Sequence, residues 1–186
     1  DYLAVAVRQG VGIVLETPFV GAGQRDQPGL EYLPARLSLV PGLFRSSRPP
    51  DVVLLHTSMP HEGTISLGTE VNVLPAAIEA ARDRGGLVVA VLNPAMPYVF
   101  GDGVIPTQDV DLAVELPYDQ PRPHARRDDD ISAAIGERVA ALVPDGATVQ
   151  LGIGAVPDAA LRAMQGHRGL RVFSEMFSDG VLGLHQ

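Results

Sequence analysis

Hydrophobic and polar positions along this chain fall into two kinds of segment. Short continuous apolar runs, rich in Val and Leu, have the length of buried strands. The clearest of these runs are residues 52–56 and 87–92, and residues 147–151 and 170–173 are further strand candidates in which polar residues interrupt the apolar ones. Between them, residues 73–84 and 131–142 carry apolar side chains at the three- and four-residue intervals of an amphipathic helix. Strands that alternate with helices predict an α/β fold with open, mainly parallel sheets flanked by helices.

Weaker patterns complete this outline and divide the chain. Short elements are also predicted at residues 2–7, 12–15 and 110–115. Residues 117–130 are polar, charged and rich in proline, which is the composition of a linker. We therefore predict domains at 1–125 and 126–186. The first helix of the second domain keeps one apolar face, formed by Ile131, Ile135, Val139 and Leu142.

The strand predicted at 147–151 is followed by a glycine-rich turn. Gly152 and Gly154 let the backbone turn sharply and expose its N–H groups. Pro157 suits the first position of a helix and Gly166 suits the residue past its end. A short helix is therefore predicted at 157–165.

The strand predicted at 170–173 returns the chain to the sheet and is followed by a residue with a carboxylate side chain. A strand, a crossover helix and a second parallel strand place both strand ends at one edge, where open α/β sheets bind ligands. Ser174, Glu175 and Met176 are therefore predicted to lie beside the glycine turn. On composition alone, a solvated loop charge or a helix cap is the more ordinary explanation of Glu175.

Two segments carry a resemblance to a known family. They are GIGAVPDAAL at 152–161 and SEMFSDG at 174–180, and shorter matches precede them. Those matches include Tyr32-Leu33-Pro34, Asp51-Val52-Val53-Leu54, Ser66-Leu67-Gly68 and Asn93-Pro94-Ala95-Met96-Pro97. The chain resembles the acetyl-CoA hydrolase/transferase family, which includes the 4-hydroxybutyrate, succinate:acetate and butyryl CoA-transferases. The resemblance covers nearly the whole chain and implies a CoA-transferase-like fold.

Family members are more than twice as long as these 186 residues. The resemblance therefore implies a nearly complete first domain at 1–125 and a truncated second domain at 126–186, as in an internal piece of a longer polypeptide. The isolated piece is expected to be inactive, because the C-terminal glycine-rich segment that helps to form the family's acyl site is absent. The full-length protein is expected to be a homo-oligomer.

The resemblance also assigns a role to the glycine turn and the carboxylate. Glu175 matches the glutamate that attacks the acyl-CoA carbonyl and becomes a covalent glutamyl-CoA thioester. The backbone at Gly152, Gly154, Ala155 and Val156 is expected to bind CoA or the oxyanion of the tetrahedral intermediate.

A second loop is expected to line the same cleft. Asn93, Pro94 and Met96 follow the strand predicted at 87–92, and two prolines stiffen this loop. Strand ends are where ligand contacts are expected in a parallel sheet. Without the resemblance, the loop would be interpreted as a stiff crossover.

The implied reaction is CoA transfer between an acyl-CoA and a short carboxylic acid, or acyl-CoA hydrolysis. Coenzyme A is then a substrate and covalent intermediate, and no permanently bound cofactor is expected. A non-catalytic CoA-binding or assembly module is the alternative. A dinucleotide-binding domain is a poorer one, because Pro157 stands where GxGxxG requires its third glycine. The acyl group and the acceptor stay open.

Composition argues against several kinds of site and binding partner. The absence of cysteine excludes disulfides and thiolate metal sites and suits a reducing compartment, so a cytoplasmic location is expected. The five histidines form no HxH or HExxH pair, and no metal site is expected. A net charge of −8 argues against nucleic-acid binding. No apolar run approaches the roughly 18 residues of a membrane span, so none is expected.

Overall fold

The computed structural model describes residues 12, 14–21, 24, 25, 27, 29–120 and 129–184. The element predicted at 2–7 and the middle of the predicted linker, residues 121–128, lie outside the described residues. Contacts within the chain define two compact units, unit 1 at Asp1–Pro121 and unit 2 at Arg122–Gln186. The predicted domain boundary at 125 stays a prediction.

Unit 1 is built around a three-stranded parallel sheet. Its strands are β1 (Leu15–Thr17), β2 (Leu30–Tyr32), β3 (Val52–Thr57), β4 (Thr64–Ser66), β5 (Leu87–Leu92), β6 (Val104–Pro106) and β7 (Leu112–Glu115). Its helices are α1 (Val40–Arg45) and α2 (Leu74–Arg82), with 3₁₀ turns at Leu37–Leu39 and Thr107–Asp109. The main sheet has the order β3-β5-β7, β1 pairs with β2 in parallel, and β4 pairs with β6 antiparallel. The predicted α/β class with mainly parallel sheets is confirmed.

The core of unit 1 lies between the main sheet and α2. Val53, Leu55, Val88 and Ala90 are buried against the helix, because alternate residues of a strand face the same side. The continuous apolar run at 52–56 predicted a buried strand, and this is wrong for the face of β3 that points away from α2. Leu54 there is 73% exposed, as no described element covers it.

Unit 2 contains a helix pair and a short sheet. Its elements are α3 (Asp130–Ala140), β8 (Thr148–Val149), α4 (Ala155–Ala163), β9 (Arg171–Val172) and a 3₁₀ helix at Asp179–Leu184. Strands β8 and β9 are parallel. Asp129 caps α3, since its carboxylate accepts hydrogen bonds from the Ser132 backbone N–H at 2.7 Å and the Ser132 hydroxyl at 2.9 Å. These bonds, the backbone one foremost, lower the pKa of Asp129.

The buried face of α3 is not its apolar face. Ser132, Gly136 and Ala140 are buried, whereas Ile131 is 73% exposed. The other members of the predicted apolar face, Ile135, Val139 and Leu142, are exposed as well. Small residues lie between α3 and α4 because they let the two backbones approach closely.

Helix α4 begins earlier than predicted. The helix expected at 157–165 runs from Ala155 to Ala163, and Pro157 occupies its third position instead of its first. The first turn tolerates proline there because its N–H groups have no intrahelical acceptor. Gly154 precedes the helix with a φ of 123°, which favours glycine over residues with a side chain.

Candidate active site

The loop that carries Glu175 is tied to the glycine turn in unit 2. The Phe173 backbone N–H donates to the Val149 carbonyl at 3.0 Å, which continues the β8–β9 ladder. The Ser174 hydroxyl then accepts a hydrogen bond from the Leu151 N–H and donates to the Leu151 carbonyl, both at 3.1 Å. Leu151 directly precedes Gly152, and Ser174 directly precedes Glu175. The carboxylate-bearing segment therefore lies beside the turn, as the crossover pattern predicted.

Glu175 and the start of α4 are chemically complementary. The Glu175 side chain is exposed, and no ion pair holds it among the described residues. Gly154 provides no side-chain cap, so the N–H groups of Ala155 and Val156 have no hydrogen-bond acceptor in the described part of unit 2. Such N–H groups and the positive end of the helix dipole favour a negative charge nearby.

An apolar cavity adjoins the turn. It has a volume of about 410 Å³, and its walls come from α3, from the segment 149–152 and from α4. Gly152 and Val156, two of the residues predicted to bind CoA, contribute to these walls. Val139 of the exposed apolar face and Met164 contribute as well.

The loop predicted to line the cleft lies in unit 1 and turns two of its three named side chains inward. Asn93 is fully buried and Met96 is 3% exposed, with the Thr69 hydroxyl 3.7 Å from the Met96 sulfur. Pro94 and Ala95 are exposed. Together with the exposed Pro97, they form the surface that this loop offers to a ligand. That this loop shares a cleft with Glu175 stays a prediction.

Sequence reasoning missed a polar cluster at the carboxyl edge of the main sheet in unit 1. His56, near the end of β3, contacts Asn93 after β5 and Tyr118 after β7. Glu70 and Gln120 complete this cluster, which we call the His56 cluster. Its signal in the sequence was the presence of polar residues at the ends of all three strands.

The described ranges contain neither a membrane-spanning helix nor a cluster of metal ligands. No helix in them has both the length and the hydropathy that crossing a membrane requires. In the same ranges, no group of three or more His, Asp or Glu side chains could hold a metal ion.

Known proteins share much of this sequence. The sequence model of the acetyl-CoA hydrolase/transferase N-terminal domain matches residues 20–120. The chain belongs to the acetyl-CoA hydrolase/transferase family. It is 39% identical over 171 residues to 4-hydroxybutyrate coenzyme A transferase of Clostridium kluyveri, an alignment that covers 89% of this chain and 39% of that protein.

Two further family members support the same assignment. The chain is 40% identical over 162 residues to succinyl-CoA:acetate/propanoyl-CoA:succinate CoA transferase of Fasciola hepatica, with 84% of this chain and 32% of that protein covered. The crystal structure of 4-hydroxybutyrate CoA-transferase from Porphyromonas gingivalis superposes with a TM-score of 0.70 at 31% identity. That match covers 97% of this chain and 48% of the other, so the CoA-transferase-like fold is confirmed. The chain spans well under two thirds of the length of these relatives.

Proposed function

We propose that this protein takes part in CoA transfer between an acyl-CoA and a short carboxylic acid, with Glu175 as the covalent nucleophile. Membership of the family supports the reaction class. The observation that supports the role of Glu175 is the pair of hydrogen bonds between Ser174 and Leu151, because they hold the segment that carries the exposed Glu175 against the residue that precedes the glycine turn.

The proposed reaction proceeds in two exchanges. The Glu175 carboxylate attacks the thioester carbonyl of the acyl-CoA, the C–S bond breaks, and an acyl-glutamyl anhydride and a CoA thiolate result. The thiolate then attacks the glutamyl carbonyl, which releases the first acid as its carboxylate and leaves a glutamyl-CoA thioester. A second carboxylate reverses both steps and leaves as the new acyl-CoA. Water in place of that acceptor gives net hydrolysis.

Each exchange passes through a tetrahedral oxyanion that needs hydrogen-bond donors. The N–H groups of Ala155 and Val156 are our candidates, because they project from the start of α4 without an acceptor. Gly152 and Gly154 have no side chains that would keep a substrate away from this backbone. The apolar cavity beside the turn suits the aliphatic part of an acyl-CoA. In unit 1, Asn93, Pro94 and Met96 are proposed to belong to the loop that lines the cleft.

The test is to trap and locate the covalent intermediate. The full-length protein is incubated with acetyl-CoA and treated with borohydride, which reduces a glutamyl thioester, and peptide mass spectrometry then locates the modified residue. We expect the modification at Glu175 and its loss in Glu175→Ala. Glu175→Asp should react on the order of a hundredfold more slowly, because one methylene fewer displaces the carboxylate by about 1 Å.

Glu137→Ala is the matched control, since Glu137 is an exposed glutamate of the same unit that takes no part in the turn. It should keep the modification at Glu175. A modification on another residue, or one that persists in Glu175→Ala, would refute the assignment. Calorimetry with CoA and with NAD separates a non-catalytic CoA-binding module from a dinucleotide-binding domain.

A further inference from the structure

The His56 cluster joins three parts of unit 1 that are far apart in the sequence. His56 Nε2 lies 3.1 Å from Asn93 Nδ2 and 3.2 Å from Gln120 Nε2. On the other side of the ring, Nδ1 lies 2.9 Å from a Glu70 carboxylate oxygen and 3.1 Å from the Tyr118 hydroxyl. The Tyr118 ring also stacks on the imidazole, with centroids 5.0 Å apart.

The orientation of the Asn93 amide follows from its backbone partners. Asn93 Oδ1 accepts hydrogen bonds from the Ala95 N–H at 3.0 Å and the Tyr118 N–H at 3.4 Å. Its Nδ2 donates to the Tyr118 carbonyl at 3.0 Å. If the amide were flipped, its NH₂ group would face two N–H donors and its oxygen would face a carbonyl acceptor, and none of these three hydrogen bonds could form. Nδ2 is therefore the atom that faces His56.

The Asn93 amide in turn fixes the proton on the imidazole. Nδ2 is only a donor, so His56 Nε2 must accept from it and cannot carry a hydrogen. The Nδ1 atom then carries the proton and donates it towards Glu70 and Tyr118, whose oxygens accept. The donor from Asn93 therefore fits only a ring with a free Nε2, in which Nδ1 carries the proton.

We propose that His56, held in this Nδ1–H tautomer, is a positioning residue that fixes the loop 93–97 and the segment 116–120 at the carboxyl edge of the sheet. It does so through Asn93, whose side chain bonds to the backbone of both segments. The ladder bond from the Leu116 N–H to the Leu92 carbonyl at 3.0 Å brings the two segments side by side. The consequence for CoA binding rests on the function proposed above.

The first test needs no substitution. Long-range ¹H–¹⁵N NMR of the histidine rings near pH 7.5 distinguishes a protonated Nδ1 from a protonated Nε2. We expect a proton on His56 Nδ1 and none on Nε2. A proton on Nε2, in either the neutral or the charged form, would overturn the proposal, because Asn93 could not then donate to the ring.

The second test measures backbone hydrogen exchange at Ala95 and Tyr118. His56→Phe keeps a ring to stack on Tyr118 but removes the acceptor for Asn93, so exchange at both amides should be about tenfold faster. In His56→Gln the side-chain oxygen can replace Nε2 as the acceptor and should restore most of the protection. His61→Phe is the control, since His61 is exposed and outside the cluster.

Unchanged exchange in His56→Phe, or no recovery in His56→Gln, would refute the positioning role. CoA affinity measured on the same variants tests the link to function separately. If the loop 93–97 contacts CoA, His56→Phe binds it more weakly and His56→Gln recovers. Failure of the unsubstituted protein to bind CoA would count against the proposed function, while the NMR and exchange results would still decide the role of His56.

Discussion

Gly136→Ala tests the close approach of α3 to α4 in unit 2. A methyl group at position 136 would lie 2.6 Å from the Ala159 carbonyl carbon, 2.7 Å from its oxygen and 2.9 Å from the Ala160 nitrogen. Carbon atoms in ordinary contact are about 3.5–4.0 Å apart, so α3 would have to move away by about 1 Å. The three atoms belong to the backbone of α4, and no side-chain rotation can relieve the overlap.

The displacement should lower the free energy of unfolding of unit 2. Inserting a methyl group into a packed interface costs about 1–3 kcal/mol, and a rigid backbone neighbour favours the upper end. Alanine regains about 1 kcal/mol through its higher helix propensity. The net loss is then about 2 kcal/mol, which lowers the melting temperature of a small unit by roughly 10 °C. Ala140, Ala160 and Leu161, which are buried at this interface, lose packing contacts at the same time.

Urea and thermal unfolding followed by circular dichroism measure this loss. Hydrogen exchange of peptides from α3 and α4 shows whether it lies in unit 2, since two units need not unfold together. The matched control is Gly42→Ala in α1, where a new methyl group meets no atom within 4 Å. This control should stabilise the protein by about 0.4–1 kcal/mol. If Gly136→Ala is as stable as the unsubstituted protein, the helices are free to separate and the packing argument is wrong.

Two further predictions concern the core and the acid stability. Leu161→Ala should destabilise unit 2 by about 2–5 kcal/mol in the urea experiment, because Leu161 is fully buried. The control Leu142→Ala, at a leucine that is 84% exposed, should change the free energy of unfolding by no more than about 0.5 kcal/mol. Equal effects of the two substitutions would contradict the assigned core. A hydrogen bond from the Val88 N–H and, after it, one from Arg82 lower the pKa of Asp111. The stabilisation that Asp111 provides should therefore be present above the unfolded-state pKa of about 3.9 and fade as pH falls below that value. Asp111→Asn should make the urea midpoint less dependent on pH in this acid range, and an unchanged dependence would refute the prediction.

The sequence predicted elements best where local pattern and tertiary packing agree. The strand at 87–92 has the predicted bounds, because a continuous apolar run suits the central strand of a parallel sheet. The helix at 73–84 shortens to Leu74–Arg82, since helix ends fray and glycine follows. The three-residue strands β4 and β6 depend on each other across a long stretch of chain, and no local pattern announces such a pair.

The candidate site was predictable to a similar extent. The proximity of Glu175 to the glycine turn follows from the rule that a crossover returns to the same sheet edge. The His56 cluster was not predicted, because the residues that contact His56 lie 14 to 64 positions away from it in the sequence. The packing face of α3 was predicted wrongly for another reason. Hydropathy marks its apolar face, but at the closest approach of two helices small size matters more than hydropathy.

Unit 1 and unit 2 both place polar groups at the ends of parallel strands, but these groups differ in burial and in hydrogen bonding. In unit 1, Asn93 is fully buried and both polar atoms of its side chain are hydrogen-bonded within the protein. These bonds stabilise the fold and leave no polar atom of this side chain for a substrate. In unit 2, Glu175 is exposed and the N–H groups at the start of α4 have no acceptor among the described residues. A nucleophile must be able to leave its present contacts and reach a carbonyl, whereas a positioning group must not. This difference is consistent with the covalent step proposed for Glu175 and the positioning role proposed for His56.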